Sequence, residues 1–364
     1  PPRSTLFPYT TLFRSTGYDN NEDLRFGDTQ TFPDSTDVDI NLASPGGEVD
    51  GSDDPQTSSE DLTADNRNAP QGRGIMAIEV ATLNKVDAAS PYTMALPSTG
   101  TVYWSYTFAD NDLLKYSFPG DLAVLDMNGD SYADTIYTGD TGGNLWKFDV
   151  GGADKNQWSG QMLFQSNAGA DGSNGRKIFY RPEVAYVGAP HIYFGTGDRE
   201  HPLNRAVVDR MYCVIDWGAQ GTYPVNESAL VDATANTLQD PDTTKEEADA
   251  LLSKMLSSPW SPYLESGVSK FTYGWYIKLD GVDRTGDPGV LDLGEKVLAP
   301  ATVFNGEVFF STYQLQTGAR AGCEAGNMGI SRLYHLDYRT AEAVMNYNLS
   351  NDDLLDGTET DGET

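Results

Sequence analysis

Short runs of alternating apolar and polar residues fill the middle of the chain, and within them one phrase keeps returning. It consists of two apolar residues, any residue, an apolar residue and then an acid. The copies are Ile75 to Glu79, Leu145 to Asp149, Tyr212 to Asp216, Tyr276 to Asp280 and Leu333 to Asp337, 57 to 70 residues apart. Period-2 alternation is the mark of a half-buried strand, so the residues one and three before each acid share a face, as Trp146 does with Phe148. The acid then ends the strand in a turn. A second phrase supplies hairpins: Pro182 to Thr196 and Pro300 to Thr312 each read as two strands joined by a glycine-containing turn. A hairpin followed by a strand, repeated at a steady interval, predicts an all-β fold of the β-propeller kind. The interval exceeds that of a WD-repeat blade, so the propeller must be a modified one with long insertions between strands. A β-sandwich is the alternative reading, although it does not require the repeated phrase.

One insertion has a different period. In residues 244–258, Thr244 and Glu247 have capping-box spacing, and Ala248, Leu251, Leu252 and Met255 form one stripe, which predicts a short amphipathic helix packed on a blade. Residues 16–70 are rich in Asp, Asn, Ser, Thr and Gly without a sustained period and read as an acidic, loop-rich lead-in. Residues 71–350 form the propeller domain, and residues 351–364 are an acidic tail. Residues 1–15 carry two near copies of one phrase, resemble an adapter translation, and are set aside as non-native. A chain that begins on proline is expected to be a piece of a longer protein whose export signal lies elsewhere.

Charge narrows the partners. The 364 residues hold 54 Asp and Glu against 24 Lys and Arg, a formal net charge of −30. A nucleic-acid surface needs clustered cations, and the longest basic cluster here is Arg176-Lys177, so nucleic acid is excluded as a partner. An acidic surface of this kind also suits a saline habitat. No stretch is long and apolar enough to be a membrane-spanning helix. The two cysteines, Cys213 and Cys323, exclude a disulfide scaffold and a four-thiolate zinc site, and leave one bridge open.

The sharpest chemical signal is the run from Asp126 to Asp134. Side-chain oxygens at Asp126, Asn128, Asp130 and Asp134, with the main-chain carbonyl of Tyr132, offer a hard cation the oxygen-only shell that Ca2+ prefers. Gly129 permits a tight turn, and the flanks read as strands. The run is not an EF-hand, because its twelfth position is Tyr137 where that loop needs a bidentate Glu. An ordinary Asp-Asn-Gly-Asp turn is the competing explanation. Asp121 and Asp140 stand as outer-shell groups. Other candidates are weaker: residues 195–204 begin like a dinucleotide fingerprint but place Glu200 where the third glycine belongs, and His191, His201 and His335 are not spaced as ligands. No nucleophile motif is present, so no enzyme activity is expected.

Four ordered blocks, residues 120–150, 180–204, 274–314 and 331–343, resemble the C-terminal domain of the PilY family, the type IV pilus tip-associated adhesins and assembly factors. The resemblance implies a modified β-propeller exported through the periplasm to the pilus tip or cell surface. It implies one Ca2+ site at Asp126, Asn128, Asp130, Tyr132 and Asp134, whose occupancy favours pilus extension over retraction and so tunes twitching motility and attachment. It also implies minor pilins and other pilus components, with host or abiotic surfaces, as partners. Asn128 at the third position and Ser131 in place of a frequent glycine depart from the family pattern, which points to a weaker site. Two alternatives remain: a carbohydrate- or surface-binding propeller with a structural calcium, and a quinoprotein dehydrogenase. The latter is disfavoured because Asp337 to Ala341 lacks the Gly and Trp of its blade phrase.

Overall fold

The computed structural model describes residues 11–16, 72–79, 82–84, 93–95, 101–167, 175–200, 207–279, 294–314 and 329–344. Four main sheets follow one another along the chain, antiparallel except for one short parallel strand at an edge of the second and of the third. The first contains β1 (Thr11–Ser15) and β2 (Gly74–Glu79), followed by the hairpin of β3 (Thr82–Asn84) and β4 (Thr93–Ala95), and then β5 (Thr101–Thr107), in the order β1-β2-β5. Residues 11–15, set aside in the sequence reading, thus extend this sheet, with Phe13 packed near Trp158. The second sheet is a meander of β6 (Ala123–Leu125), β7 (Thr135–Gly139), β8 (Asn144–Asp149) and β9 (Ser159–Gln165). The third runs β10 (Glu183–Tyr186), β11 (Pro190–Gly195) and β12 (Arg210–Ile215).

A long insertion after β12 reaches back across its neighbours. Its strand β13 (Val225–Asn226) pairs parallel with β9, while β14 (Val231–Asp232) pairs parallel with β17 (Gly274–Lys278), the strand that completes the third sheet. Helix α1 (Lys245–Met255) and a hairpin of β15 (Tyr263–Glu265) and β16 (Val268–Lys270) lie in the same insertion. The predicted capping box is present: Thr244 Oγ1 accepts from Glu247 N, and Glu247 Oε2 accepts from Thr244 N at 2.9 Å. The fourth sheet combines β18 (Glu295–Val297), β19 (Thr302–Phe304), β20 (Glu307–Gln314) and β21 (Ile330–Asp337). Its β19–β20 hairpin turns on Asn305 and Gly306, both at positive φ, the conformation that a two-residue type I′ turn demands.

Period-2 alternation explains how the sheets stack. On the wholly buried β12, Met211 and Cys213 face one way and join Trp275, Val308 and Phe310, so they pack the third sheet on the fourth. Tyr212 and Val214 face the other way and join Tyr137, Leu145 and Phe164 of the second sheet. The second sheet repeats the device, for Ile136, Trp146 and Phe148 turn towards Ile75 and Ala77 of the first. Middle sheets covered on both faces read as continuous apolar runs, which is the character of Met211 to Ile215. The result is the expected all-β, modified propeller architecture with one inserted helix, its blades packed face to face in chain order. Where blades meet closely the backbone is glycine: a Cβ on Gly139 would run into Ile178, and one on Gly195 into Val297.

Candidate metal centre and the buried polar groups around it

The β6–β7 hairpin holds the predicted loop at the rim of the second sheet. Leu125 pairs with Thr135, and Asp134 N donates to Leu125 O at 2.8 Å, so the two strands close the base of residues 126–134. Above it the chain coils through two left-handed residues, Gly129 at φ 77° and Ser131 at φ 70°. Gly129 meets no neighbour that would obstruct a Cβ, so glycine is required there by conformation and not by space.

All five predicted positions lie on this one loop, and its carboxylates organise its backbone. Asp126 Oδ1 accepts from Gly129 N at 2.7 Å and Asp130 N at 3.2 Å, and its Oδ2 accepts from Ser131 N at 2.7 Å. Asn128 Oδ1 accepts from Asp130 N, and Asp130 Oδ1 accepts from Tyr132 N, each two residues on. Asp134 Oδ2 accepts from Met127 N and Asn128 N at 2.9 and 3.2 Å, while its Oδ1 meets Asn128 Nδ2. Desolvation pushes the Asp126 carboxyl up, but the N–H groups of Ser131, Gly129 and Asp130 together outweigh it and hold the group below its ordinary range. Among the described residues no three His, Cys, Asp or Glu side chains converge as a metal-holding group. The loop therefore presents the right donor types in phase, with its carboxylates turned onto their own backbone N–H groups.

Asp140 has a different role from the outer-shell one. It is fully buried and caps the β7–β8 turn, accepting from Asn144 N at 2.9 Å, from Asn144 Nδ2 at both oxygens, and from Trp146 Nε1 at 2.8 Å. Burial pushes its pKa up to about 6, against the lowering effect of those hydrogen bonds. Two of the repeated acids also cap turns: Asp216 Oδ1 accepts from Gly218 N, and Asp337 Oδ1 accepts from Arg339 N and Thr340 N, each at 2.8 Å. Asp280, Asp283, Asp287, Asp292 and His201 lie outside the described residues, as does Cys323. Cys213 is buried in the third sheet, where desolvation raises its thiol pKa. His191 bonds Ala189 O and is pushed down by burial, while His335 meets Glu307 at 2.7 Å, so both are structural. Arg199 and Glu200 form an exposed pair.

The sequence reading missed two sets of buried ion pairs, one where the link from the second sheet enters the third and one within the fourth sheet. Arg176 and Arg210 both reach Glu227 Oε1, at 3.2 and 3.3 Å. Lys177 meets Asp198 at 2.6 Å, and Arg332 meets the fully buried Glu295 at 3.1 Å. Arg176 and Lys177 registered only as a basic dipeptide, and the signal that would have placed them inside is the apolar Ile178-Phe179 that follows.

No family model matches the chain. Over 250 residues, 64% of this chain, it is 28% identical to a type IV pilus biogenesis factor, a PilY1 homolog of Xylella fastidiosa. The resemblance to the PilY family is borne out. This PilY-like chain spans 15% of that relative's length. Among solved structures it matches the crystal structure of the Pseudomonas aeruginosa PilY1 C-terminal domain with 15% identity and a TM-score of 0.45, covering 74% of this chain and 65% of that one. Among the described residues no helix is long and apolar enough to cross a membrane.

Proposed function

We propose that this chain is the calcium-responsive propeller of a type IV pilus biogenesis and adhesion protein, exported to the pilus tip or cell surface and without enzymatic activity. The observation that carries the reading is the match along 250 residues to a relative named as a type IV pilus biogenesis factor. The loop supports the finer part. Its donor set of three carboxylates, an amide oxygen and a main-chain carbonyl suits Ca2+ in type, and Asp126, Asn128, Asp130, Tyr132 and Asp134 are the residues that would hold it. Bound calcium would supply positive charge to a hairpin rim rich in carboxylates. The chain's own contribution is the coil held by Asp126 and Asp134, which keeps the donors in sequence register. Because the hairpin belongs to the second sheet, a change in the loop bears on the surface presented to minor pilins and to host or abiotic surfaces, and through it on extension, retraction and twitching.

Titration calorimetry of the chain with Ca2+ tests the site, repeated with Asp130→Ala and Asp134→Ala. Heat of binding in the parent that both variants lose supports it, and a parent that takes up no Ca2+ refutes it. Twitching of a piliated strain carrying the same substitutions in its full-length protein tests the regulation, and unchanged motility with calcium binding abolished refutes that part alone. Exposed Trp260, stacked edge-on against Trp217 at 5.8 Å, favours a second reading, a carbohydrate-binding propeller, which glycan binding sensitive to Trp260→Ala would establish.

A further inference from the structure

Three buried charged side chains meet where the lead-in to the third sheet passes the exit of β11 and the entry of β12. Gly197 N donates to Lys177 O at 3.0 Å, and Thr196 N donates to Arg210 O at 2.9 Å, so three chain segments run side by side. Across them Lys177 Nζ lies 2.6 Å from Asp198 Oδ2, with the two side chains 1% and 6% exposed. Beside the pair sits Asp209, also buried. Its Oδ1 accepts from Thr196 Oγ1 at 2.8 Å, while its Oδ2 has no hydrogen-bond partner among the described residues. A buried carboxylate oxygen left without a donor is costly, and its presence asks for a chemical reason.

We propose that Lys177 and Asp198 condense into an intramolecular isopeptide bond, with Asp209 as the group that moves the protons. Nucleophile and electrophile are already in contact in a site closed to water, the arrangement in which an amine attacks a carboxyl carbon. Lys177 first passes a proton from its ammonium to the Asp198 carboxylate. The neutral Nζ then adds to Asp198 Cγ, and the N–C bond forms. Asp209 gives its proton to the departing hydroxyl and takes the one shed by Nζ, the C–O bond breaks, and water leaves. An ammonium and a carboxylate become an amide and water, Asp209 is restored, and no oxidant or cofactor enters. Desolvation favours the protonation states required, for it pushes Lys177 down towards the free amine and Asp209 up towards the acid, outweighing the opposing Lys296 ammonium. Condensation also removes a buried ion pair, with the desolvation penalty that such a pair carries. The bond would clamp the link between the second and third sheets to the end of β11.

Mass spectrometry decides it. The folded full chain, isolated by gel filtration and then denatured, should be one water molecule lighter than its sequence, and proteolysis should yield a branched peptide joining Lys177 to Asp198. Asp209→Asn should fold and show the full sequence mass, as should Lys177→Arg, which keeps the charge pair but not the nucleophile. Circular dichroism establishes that each variant folds. A folded parent of full sequence mass overturns the proposal whether or not the variants fold, as does a water loss mapped to other residues. Retention of the branched peptide in Asp209→Asn overturns the role given to Asp209.

Discussion

Replacing Asp140 with alanine removes one acceptor from three donors. These are Asn144 N, Asn144 Nδ2 and Trp146 Nε1, all directed at the same carboxylate in the β7–β8 turn. The Trp146 ring is 0% exposed and packs among Ile136, Phe118 and Phe148, so no water replaces the lost partner. A buried donor left unsatisfied costs about 1 to 3 kcal/mol, which gives about 2 for Trp146 and about 1 for each Asn144 donor, where the turn lies nearer solvent. Relief of the desolvation that raises Asp140 returns part of that sum, so the net loss should be about 3 kcal/mol. For a chain of this size that corresponds to roughly 4 °C in Tm. Urea unfolding followed by tryptophan emission is the assay, since Trp146 itself sits at the perturbed site. Because Asn keeps one acceptor oxygen, Asp140→Asn should lose less than Asp140→Ala. An alanine variant within about 1 kcal/mol of the parent would show that these hydrogen bonds do not hold the turn.

The pH dependence of the same group has a defined sign. Its folded pKa of about 6 stands above the ordinary 3.8, so the folded state holds the proton more tightly; the stability of the parent relative to Asp140→Asn should be greatest below pH 3.8 and decline as pH rises through 6, and parallel melting curves for the two proteins would contradict it. Ser131→Gly should raise stability by up to about 1 kcal/mol, because a side chain at φ 70° is strained where glycine is not; a lower Tm would contradict the coil drawn for the loop. Gly195→Ala places a Cβ against Val297 and should cost about 1 to 3 kcal/mol by forcing the third and fourth sheets apart, read as a lower urea midpoint at unchanged slope.

Local rules carried most of the fold. The alternation in Leu145 to Asp149 gave β8 and its core face, Asn305-Gly306 gave a hairpin, and Thr244 with Glu247 gave the start of α1. Strand pairing did not follow from the same rules. The repeated phrases at Tyr212 and Tyr276 suggested separate units, yet those tyrosines face each other across β12 and β17 in one sheet. Spacing along the chain records how much sequence intervenes and not where it returns, and the insertion between them, with two short parallel strands, returns the chain to the sheet it left.

The buried charges escaped notice for a related reason. Lys177 and Glu295 have the composition of a surface, and only the contacts made by distant charged and hydroxyl groups allow them inside: Asp198 for Lys177, and Thr312, Arg332 and Tyr334 for Glu295. The candidate metal loop shows the complementary case. Its five donors were legible because they fall within nine consecutive residues, in one turn between two strands. Whether they gather around a cation depends on the cation itself, for three carboxylates repel one another and, left to the chain, find the N–H groups of Met127, Gly129 and Ser131 first. Calcium would have to compete with those N–H groups, and so the binding heat, and not the sequence spacing, is the measurement on which the regulatory reading stands.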